Sequence, residues 1–400
     1  MSSSASAPSV FRHRDFRLYQ LARLCAVLAV QIESVAIGWQ VYELTGSALA
    51  LGYTGLAQFL PFLAFSLIGG QVADRVDRRL ILAVCQGVML LCSLLLLTFS
   101  LGHIQDVRFV YGVLVLFGTA RAFYSPAGSA ITPHLVPAEE LSRAIAVNST
   151  TWQVATIAGP AVGGVLYGWA GATGSYIGSA ALCALTVVWI LSLKVRTGRA
   201  SSESFSVSTL LAGLRFVSRK RLLLGSITLD LFAVLLGGAV ALLPIYARDV
   251  LHTGPWGLGL LRSAPAAGAA LVAVFLAMRP LGGRAGWKMF VSVAVFGVAT
   301  LVFGVSRSLP LSVLALAVAG AADMVSVVVR STLELVATPD EMRGRVGAVP
   351  AVVAGALGAL AVVALWAWAF PELRQVDHLE EAARQPLPGN AGPEAASTTS

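Results

Sequence analysis

The chain has 400 residues, of which 57% are hydrophobic and only 12% are charged, and its formal net charge is +8. Soluble domains carry about 25% charged residues, and a chain this apolar collapses rather than staying disordered. The figures therefore exclude a water-soluble globule and a disordered chain, and they predict an integral membrane protein. A span needs about 20 helical residues, so this length holds at most about a dozen spans.

Apolar runs between turn signals predict an all-α protein with eleven transmembrane helices. The uncharged stretch from Ala144 to Leu193 is too long for one crossing, so we expect it to fold back between Gly171 and Gly174. The predicted spans are residues 19–42, 49–70, 80–101, 108–126, 146–168, 174–193, 222–245, 257–278, 289–306, 310–336 and 347–370. The expected domains are a cytoplasmic N-terminus (1–18), an N-terminal six-helix bundle (19–194), a cytoplasmic linker with an amphipathic helix (195–221), a C-terminal bundle of about five helices (222–370) and a polar tail (371–400).

Lysine and arginine are distributed unevenly between the two sides of the predicted membrane. With the N-terminus in the cytoplasm, the outer loops hold only Arg108, Arg248 and Arg307. The inner segments hold Arg12, Arg14, Arg17, Arg75, Arg78, Arg79, Arg143, Lys194, Arg196, Arg199, Arg215, Arg219, Lys220, Arg221, Arg279, Arg284, Lys288, Arg343 and Arg345. This positive-inside asymmetry predicts a multi-pass protein of the inner, or cytoplasmic, membrane with a cytoplasmic N-terminus. It also explains the net positive charge, so nothing in the charge indicates binding to nucleic acid.

Two similar inner loops indicate an internal repeat. Thr132-Pro133 and a following acidic and basic segment come after the fourth span, and Thr338-Pro339 with a similar segment comes after the tenth. Such loops are typical of two six-helix halves related as parallel repeats. The second half is shorter than the first by about one span and a loop, so we expect its eleventh helix to be missing.

The loop between the second and third spans joins a carboxylate to a cluster of arginines, in the order G-Q-V-A-D-R-V-D-R-R. Glycine permits close helix approach, and charge-assisted bonds can hold one state of an inner gate and break in another. The alternative is a solvated loop that only sets topology. The candidate gate residues are Gly70, Asp74, Arg75, Arg78 and Arg79.

The fifth span carries a second motif, G-P-A-V-G-G. Its proline removes a helical hydrogen bond and favours a kink, and its glycines offer a smooth face for tight packing. Ordinary helix packing is the alternative. The motif residues are Gly159, Pro160, Gly163 and Gly164.

The first motif resembles the signature loop of the major facilitator superfamily, G-x-x-x-D-R-x-x-R-R, with Asp77 where glycine is usual. The second is similar to the G-P-x-x-G-G motif of the antiporter branches. Segments including 39–47, 121–127 and 243–249 resemble a bacterial subgroup of enterobactin-type siderophore exporters and macrolide efflux proteins. The resemblance covers nearly the whole chain, and it implies two pseudo-symmetric helical bundles, alternating access, export and a monomer.

Charged residues inside spans cost roughly 2.5–3.5 kcal/mol on insertion scales and are functional candidates. A proton-coupled transporter needs a buried carboxylate that changes protonation between its two access states, and the candidates are Glu33, Asp230 and Asp323. A structural ion pair is the alternative for each, and Arg121 is a candidate partner of Glu33. The candidates for the substrate path are Arg121, Gln31, Arg262, Trp39 and Phe123, with packing as the alternative for the aromatic residues.

The sequence shows no catalytic or metal-binding pattern. Its four cysteines fall in apolar stretches without ligand spacing, its five histidines fall in loops or termini, and it contains no G-x-x-x-x-G-K-[ST] phosphate loop. We therefore expect no enzyme activity, no cofactor and no metal. The expected partners are a small-molecule substrate, protons and the lipid bilayer.

These observations predict a secondary transporter that exports a small amphipathic molecule, of the drug or siderophore class, in exchange for protons. One alternative is an uptake symporter for a metabolite. The other is a transport-inactive membrane sensor or decayed paralogue, which the shortened second half favours.

Overall fold

A computed structural model describes residues 10–102, 104–195, 239–279 and 285–337, and these residues form helices and the turns between them. The long helices are α1 (Arg14–Thr45), α2 (Ala48–Arg75), α3 (Arg78–Leu101), α4 (Arg108–Ile131), α5 (Leu141–Leu191), α6 (Pro255–Met278), α7 (Ala285–Val305) and α8 (Leu309–Ala337). Short helical turns lie at Val10–Arg12, Thr132–His134, Ala138–Glu140, Ala239–Leu242, Leu243–Ile245 and Tyr246–Val250. Within these ranges, seven helices are long and apolar enough to cross a membrane.

The helix α5 contains the two spans that were expected to fold back on each other. Gly171 interrupts it with φ 66° and ψ −166°, a backbone conformation that is essentially restricted to glycine. The chain therefore turns at the start of the predicted Gly171–Gly174 segment. The predicted linker beyond residue 195, most of the span 222–245, the span 347–370, the tail 371–400 and the expected loss of the eleventh helix lie outside the described residues.

Local capping explains where the first three helices meet. Gly46 adopts a left-handed conformation and donates its N–H to the carbonyl of Tyr42 at 2.8 Å, which ends α1. Ser47 then caps the start of α2. Asp77 has φ −55° and accepts the N–H of Arg79 at 3.0 Å, which caps α3. Because this turn uses no left-handed residue, aspartate serves where the family usually has glycine.

Equivalent close contacts occur in the two halves of the molecule. In the first half, Gly118 of α4 lies so close to α2 that an added Cβ would clash with the carbonyl of Gln58. In the second half, Gly268 of α6 lies equally close to the carbonyl of Ala317 in α8. Small residues allow such backbone approach between membrane helices. The pairs α2–α4 and α6–α8 thus repeat one packing arrangement, as expected for pseudo-symmetric bundles.

We predict that Gly118→Ala destabilises the protein by about 1–3 kcal/mol, because the added methyl group forces α2 and α4 apart. Gly112→Ala is the matched control, since this glycine of the same helix has open space where its Cβ would lie. The measurement is the apparent melting temperature of the detergent-solubilised chain. Equal melting temperatures for the two variants would contradict the close contact.

Candidate functional site

Residues of α1 to α5 line a cavity of about 620 Å³, which we call the central cavity. Its apolar wall includes Val30, Met89, Leu114, Phe117 and Trp152. Its charged and amide residues in the described part of the chain are Arg23, Gln31, Glu33, Gln58, Gln86, Arg121 and Asn148. The cavity is thus amphipathic, as small-molecule sites commonly are.

One end of the first bundle is rich in arginine. It is the end at which α1, α3 and α5 begin and α2 and α4 finish, and its arginines include Arg12, Arg14, Arg17, Arg75, Arg78, Arg79 and Arg143. We call it the arginine-rich end. The lining of the central cavity runs from Glu33 in α1 to Thr132 and Pro133, which follow α4. The cavity therefore extends to the arginine-rich end.

Glu33 lies in the middle of α1 and is only 5% exposed. Its Oε2 accepts hydrogen bonds from the hydroxyl groups of Ser93, at 2.5 Å, and Ser179, at 2.7 Å. The two hydroxyl oxygens lie 3.1 Å apart. Among the described residues, no cation lies within ion-pair distance of this carboxylate. Burial without a cation is costly for the charged form of a carboxylate.

Arg121 does not pair with Glu33, contrary to one of our expectations. Its guanidinium carbon lies 5.8 Å from the ring centre of Phe62, and its side chain lines the central cavity. Its exposed side chain makes a cation–π contact there. Arg121 and Gln31 therefore lie where a substrate path would run.

The other substrate-path candidates lie apart from the cavity wall. Trp39 is 9% exposed and packs against Tyr167, while Phe123 packs against Phe65. Arg262, on α6, donates to the hydroxyl of Ser34 at 2.5 Å. Arg262 thus links the second half to the residue that follows Glu33.

Two further carboxylates, Asp323 and Asp230, are candidates for proton coupling. Asp323 lies partly buried in α8. Asp230 lies outside the described residues. The side chain of Asp74, a candidate of the inner gate and not of proton coupling, lies outside them as well. Of the three carboxylates proposed from the sequence, Glu33 alone is among the residues that line the central cavity.

Each glycine of the second motif faces a different part of α1 or α6. A Cβ on Gly159 would lie 2.5 Å from Cβ of Gln31, and one on Gly163 would lie 2.9 Å from Cα of Ile32. A Cβ on Gly164 would lie 2.5 Å from the carbonyl oxygen of Pro255 and 3.0 Å from Cα of Gly259. The motif therefore holds α5 tightly against α1 within the first half and against α6 of the second.

Polar contacts close the end of the molecule opposite the arginine-rich end. The hydroxyl of Tyr42 donates to the carboxylate of Asp249, and the guanidinium of Arg248 lies 5.8 Å from the centre of the Tyr42 ring. Nearby, Tyr167 donates to Glu43 at 3.1 Å. Because Tyr42 belongs to the first half and residues 248–249 to the second, the two halves are held together at this end.

The first motif makes its contacts at the arginine-rich end. Arg78 donates to the carbonyl of Ala130 at 3.1 Å and contacts the imidazole of His134, and Arg79 donates to the carbonyl of Ile190 at 3.2 Å. The close helix approach expected at Gly70 occurs instead at Gly69, whose added Cβ would clash with the carbonyl of Ala122. Gly70 has open space at its Cβ position because it lies on another face of α2.

Sequence patterns do not single out three polar residues of this region. Ser93 and Ser179 look like ordinary small residues of apolar spans, although they hold the carboxylate of Glu33. Gln86 is fully buried in α3. A signal for it does exist, since it is the one amide side chain in that helix and buried amides normally need hydrogen-bond partners.

The amino-acid sequence is similar to those of a known family and of known exporters. The transmembrane secretion effector family matches residues 3–375 of the chain. The enterobactin exporter EntS of Citrobacter koseri is 27% identical over 367 residues, which cover 87% of this chain and 86% of that protein. EntS of Escherichia coli shows the same identity and coverage.

Solved transporter structures share the fold. A bacterial homologue of the human lysosomal transporter Spinster, in an inward-facing and unoccupied conformation, has a TM-score of 0.66 at 16% identity over 88% of this chain and 80% of that one. A bacterial homologue of the iron transporter ferroportin, in an inward-facing state, has a TM-score of 0.66 at 14% identity over 88% and 92%. The POT family transporter PepTSo has a TM-score of 0.69 at 12% identity over 93% of this chain and 91% of that one.

We predict that Tyr42→Phe opens the closed end, because the substitution removes the hydrogen bond to Asp249. A hydrogen bond to a charged group contributes about 1.5–3 kcal/mol, so the open population should rise about tenfold. The measurement is the labelling rate of Ile37→Cys, a buried position of α1, by a membrane-impermeant maleimide added on the Asp249 side.

The control for this prediction is Tyr53→Phe in the same cysteine background. Tyr53 lies in α2, is exposed, and packs edge-on against Tyr111 of α4 within the first half. Equal labelling rates in Tyr42→Phe and Tyr53→Phe would contradict a closing role for Tyr42.

Proposed function

Since this chain belongs to the transmembrane secretion effector family of the major facilitator superfamily, we propose that it is a proton-coupled exporter of a small amphipathic molecule. The protein is a multi-pass membrane transporter, and the proposal concerns its driving ion, direction and cargo. The observation that carries it is the position of Glu33, a buried carboxylate without a described cation partner at the wall of the central cavity.

Proton coupling requires a group that is neutral in one access state and charged in another. The neutral acid suits the present arrangement, because Ser93 and Ser179 provide hydrogen-bonding partners while the apolar surroundings penalise the charge. A rearrangement that brings water or a cation to the carboxylate favours loss of the proton. Movement of the two halves thus supplies a physical route by which proton release and access change together.

Alternating access is supported by the asymmetry between the two ends. The central cavity extends to the arginine-rich end, whereas the Tyr42–Asp249 contact and the Gly164–Gly259 approach hold the halves together towards the opposite end. In the proposed orientation the arginine-rich end faces the cytoplasm, in line with the positive-inside rule. Cargo then enters the central cavity from the cytoplasm.

The direction and class of cargo are proposed from the relatives. EntS proteins are named as exporters of enterobactin, a siderophore. The amphipathic wall of the central cavity suits a molecule of the drug or siderophore class. Uptake of a metabolite and a transport-inactive role are the outcomes against which the proposal is tested.

The test uses the full chain in inside-out membrane vesicles with an acidic lumen, and its probes are enterobactin and the dye ethidium. We expect wild-type vesicles to accumulate at least one probe and a protonophore to abolish the accumulation. Glu33→Gln should reduce accumulation to the level of vesicles without the protein, because glutamine keeps the shape and does not titrate. Exchange of preloaded probe should persist in Glu33→Gln, which shows that the variant folds and binds.

The matched control is Glu139→Gln, the same substitution at an exposed carboxylate in the short turn before α5, and it should transport like the wild type. Undiminished gradient-driven accumulation by Glu33→Gln would contradict its role in coupling. Accumulation of neither probe by the wild type would contradict export of this class of cargo.

A further inference from the structure

We infer that the central cavity recognises an amphipathic organic anion, and that the amide of Gln86 and the guanidinium groups of Arg23 and Arg121 bind its negatively charged head. The inference rests on the proposed function, because it names the substrate class of the same cavity.

Gln86 is the first observation that points to a ligand. Its side chain is 0% exposed and lines the central cavity. Neither its Nε2 nor its Oε1 has a hydrogen-bond partner in the part of the chain that the structure describes. The Cys183 thiol interacts with it, but a thiol is a weak partner. An unsatisfied buried polar group is destabilising, and a polar head entering the cavity would supply the missing hydrogen-bond partners.

The second observation is an excess of positive charge in the lining. Arg23 uses one guanidinium nitrogen to contact the hydroxyl of Tyr19 at 3.4 Å, while its buried Nε has no partner among the described residues. Arg121 is exposed to the cavity and rests against the face of Phe62. Glu33 is the one carboxylate in the described lining, and its Oε2 is bound by two serine hydroxyls. The local field therefore favours an anion.

The third observation is the depth at which these groups lie. Arg23 is nine residues from the start of α1, Gln86 eight residues from the start of α3 and Arg121 ten residues from the end of α4. At a rise of 1.5 Å per residue, all three lie about 12–15 Å from the arginine-rich end. They form one layer of the cavity, which an entering molecule meets before it meets Glu33.

The cavity wall between this layer and Glu33 determines which chemistry suits the rest of the ligand. Gln86 and Ser93, a partner of Glu33, are seven residues apart on α3, which corresponds to about 10 Å. Met89, Leu114 and Phe117 line the same cavity, so the body of the ligand meets apolar surface. The charged head of the ligand and the carboxylate of Glu33 consequently occupy different parts of the central cavity.

The test measures equilibrium binding of three probes that share one skeleton and differ in charge. They are 2-naphthoate, 2-naphthylmethanol and 2-naphthylmethylammonium. The full chain is held in nanodiscs of phosphatidylcholine, and empty nanodiscs correct for partition into lipid. We expect naphthoate to bind at least about tenfold more tightly than the ammonium probe, a difference of 1.4 kcal/mol, because the arginines attract the carboxylate and repel the ammonium group.

Two substitutions localise the binding. Gln86→Leu should weaken naphthoate binding about tenfold without lowering the melting temperature, since it replaces an unsatisfied amide with an apolar side chain of similar size. Arg121→Gln should also weaken it, whereas Arg108→Gln, the same change at the other end of α4, should not. A Gln86→Leu variant that stays folded separates a ligand-binding role from a structural one.

The inference is overturned if the ammonium probe binds as tightly as naphthoate, if no probe binds saturably, or if Gln86→Leu leaves naphthoate binding unchanged. Because binding is measured without a proton gradient, these outcomes are distinct from failure of the proposed function. Selective anion binding by a chain that does not transport would overturn the function alone. Gradient-driven export of cations without anion binding would overturn the inference alone.

Discussion

The free energy of burying the Glu33 carboxylate is the constraint around which the first half is organised. A charged carboxylate in dry surroundings needs either a cation or several hydrogen-bond donors. This protein provides two serine hydroxyls, from α3 and from the second arm of α5. At this point α1, α3 and the second part of α5 must therefore keep fixed positions relative to one another. In the proposed coupling mechanism, a change in these surroundings is what changes the protonation of Glu33.

Tight backbone contacts between helices hold these segments in position. The glycines of the fifth span let α5 approach α1 at Gln31 and Ile32, the two residues that precede Glu33. Gly164 extends the same face to α6, and Arg262 of α6 reaches Ser34. Glu33 thus lies between Ile32, which touches α5, and Ser34, which touches Arg262 of the second half. A motion between the halves acts directly on the backbone that positions Glu33.

Much of the fold follows from patterns in the sequence, but the site follows only in part. Apolar runs predict the described helices, because the hydrocarbon core of a membrane allows little besides helices. The glycines at 171 and 174 predict the turn at which the fifth and sixth spans fold back on each other. Glu33 is recognisable because a charge within a span is rare. Its partners Ser93 and Ser179 are not, since a serine in a span has the same appearance whether it packs or binds. The lack of pairing between Arg121 and Glu33 depends on rotation of α1 relative to α4, which hydrophobic periodicity does not define.

The contacts at Gly118 and Gly268 lie inside the two halves, whereas Tyr42–Asp249, Ser34–Arg262 and Gly164–Gly259 lie between them. Each half is therefore closely packed within itself, and in the proposed alternating-access cycle the contacts between the halves contribute to the free-energy difference between access states. A tenfold change in their ratio takes only about 1.4 kcal/mol, which is comparable to one hydrogen bond to a charged group. Single substitutions at the contacts between the halves can consequently change the turnover of such a protein during evolution, while the residues that meet the cargo stay the same.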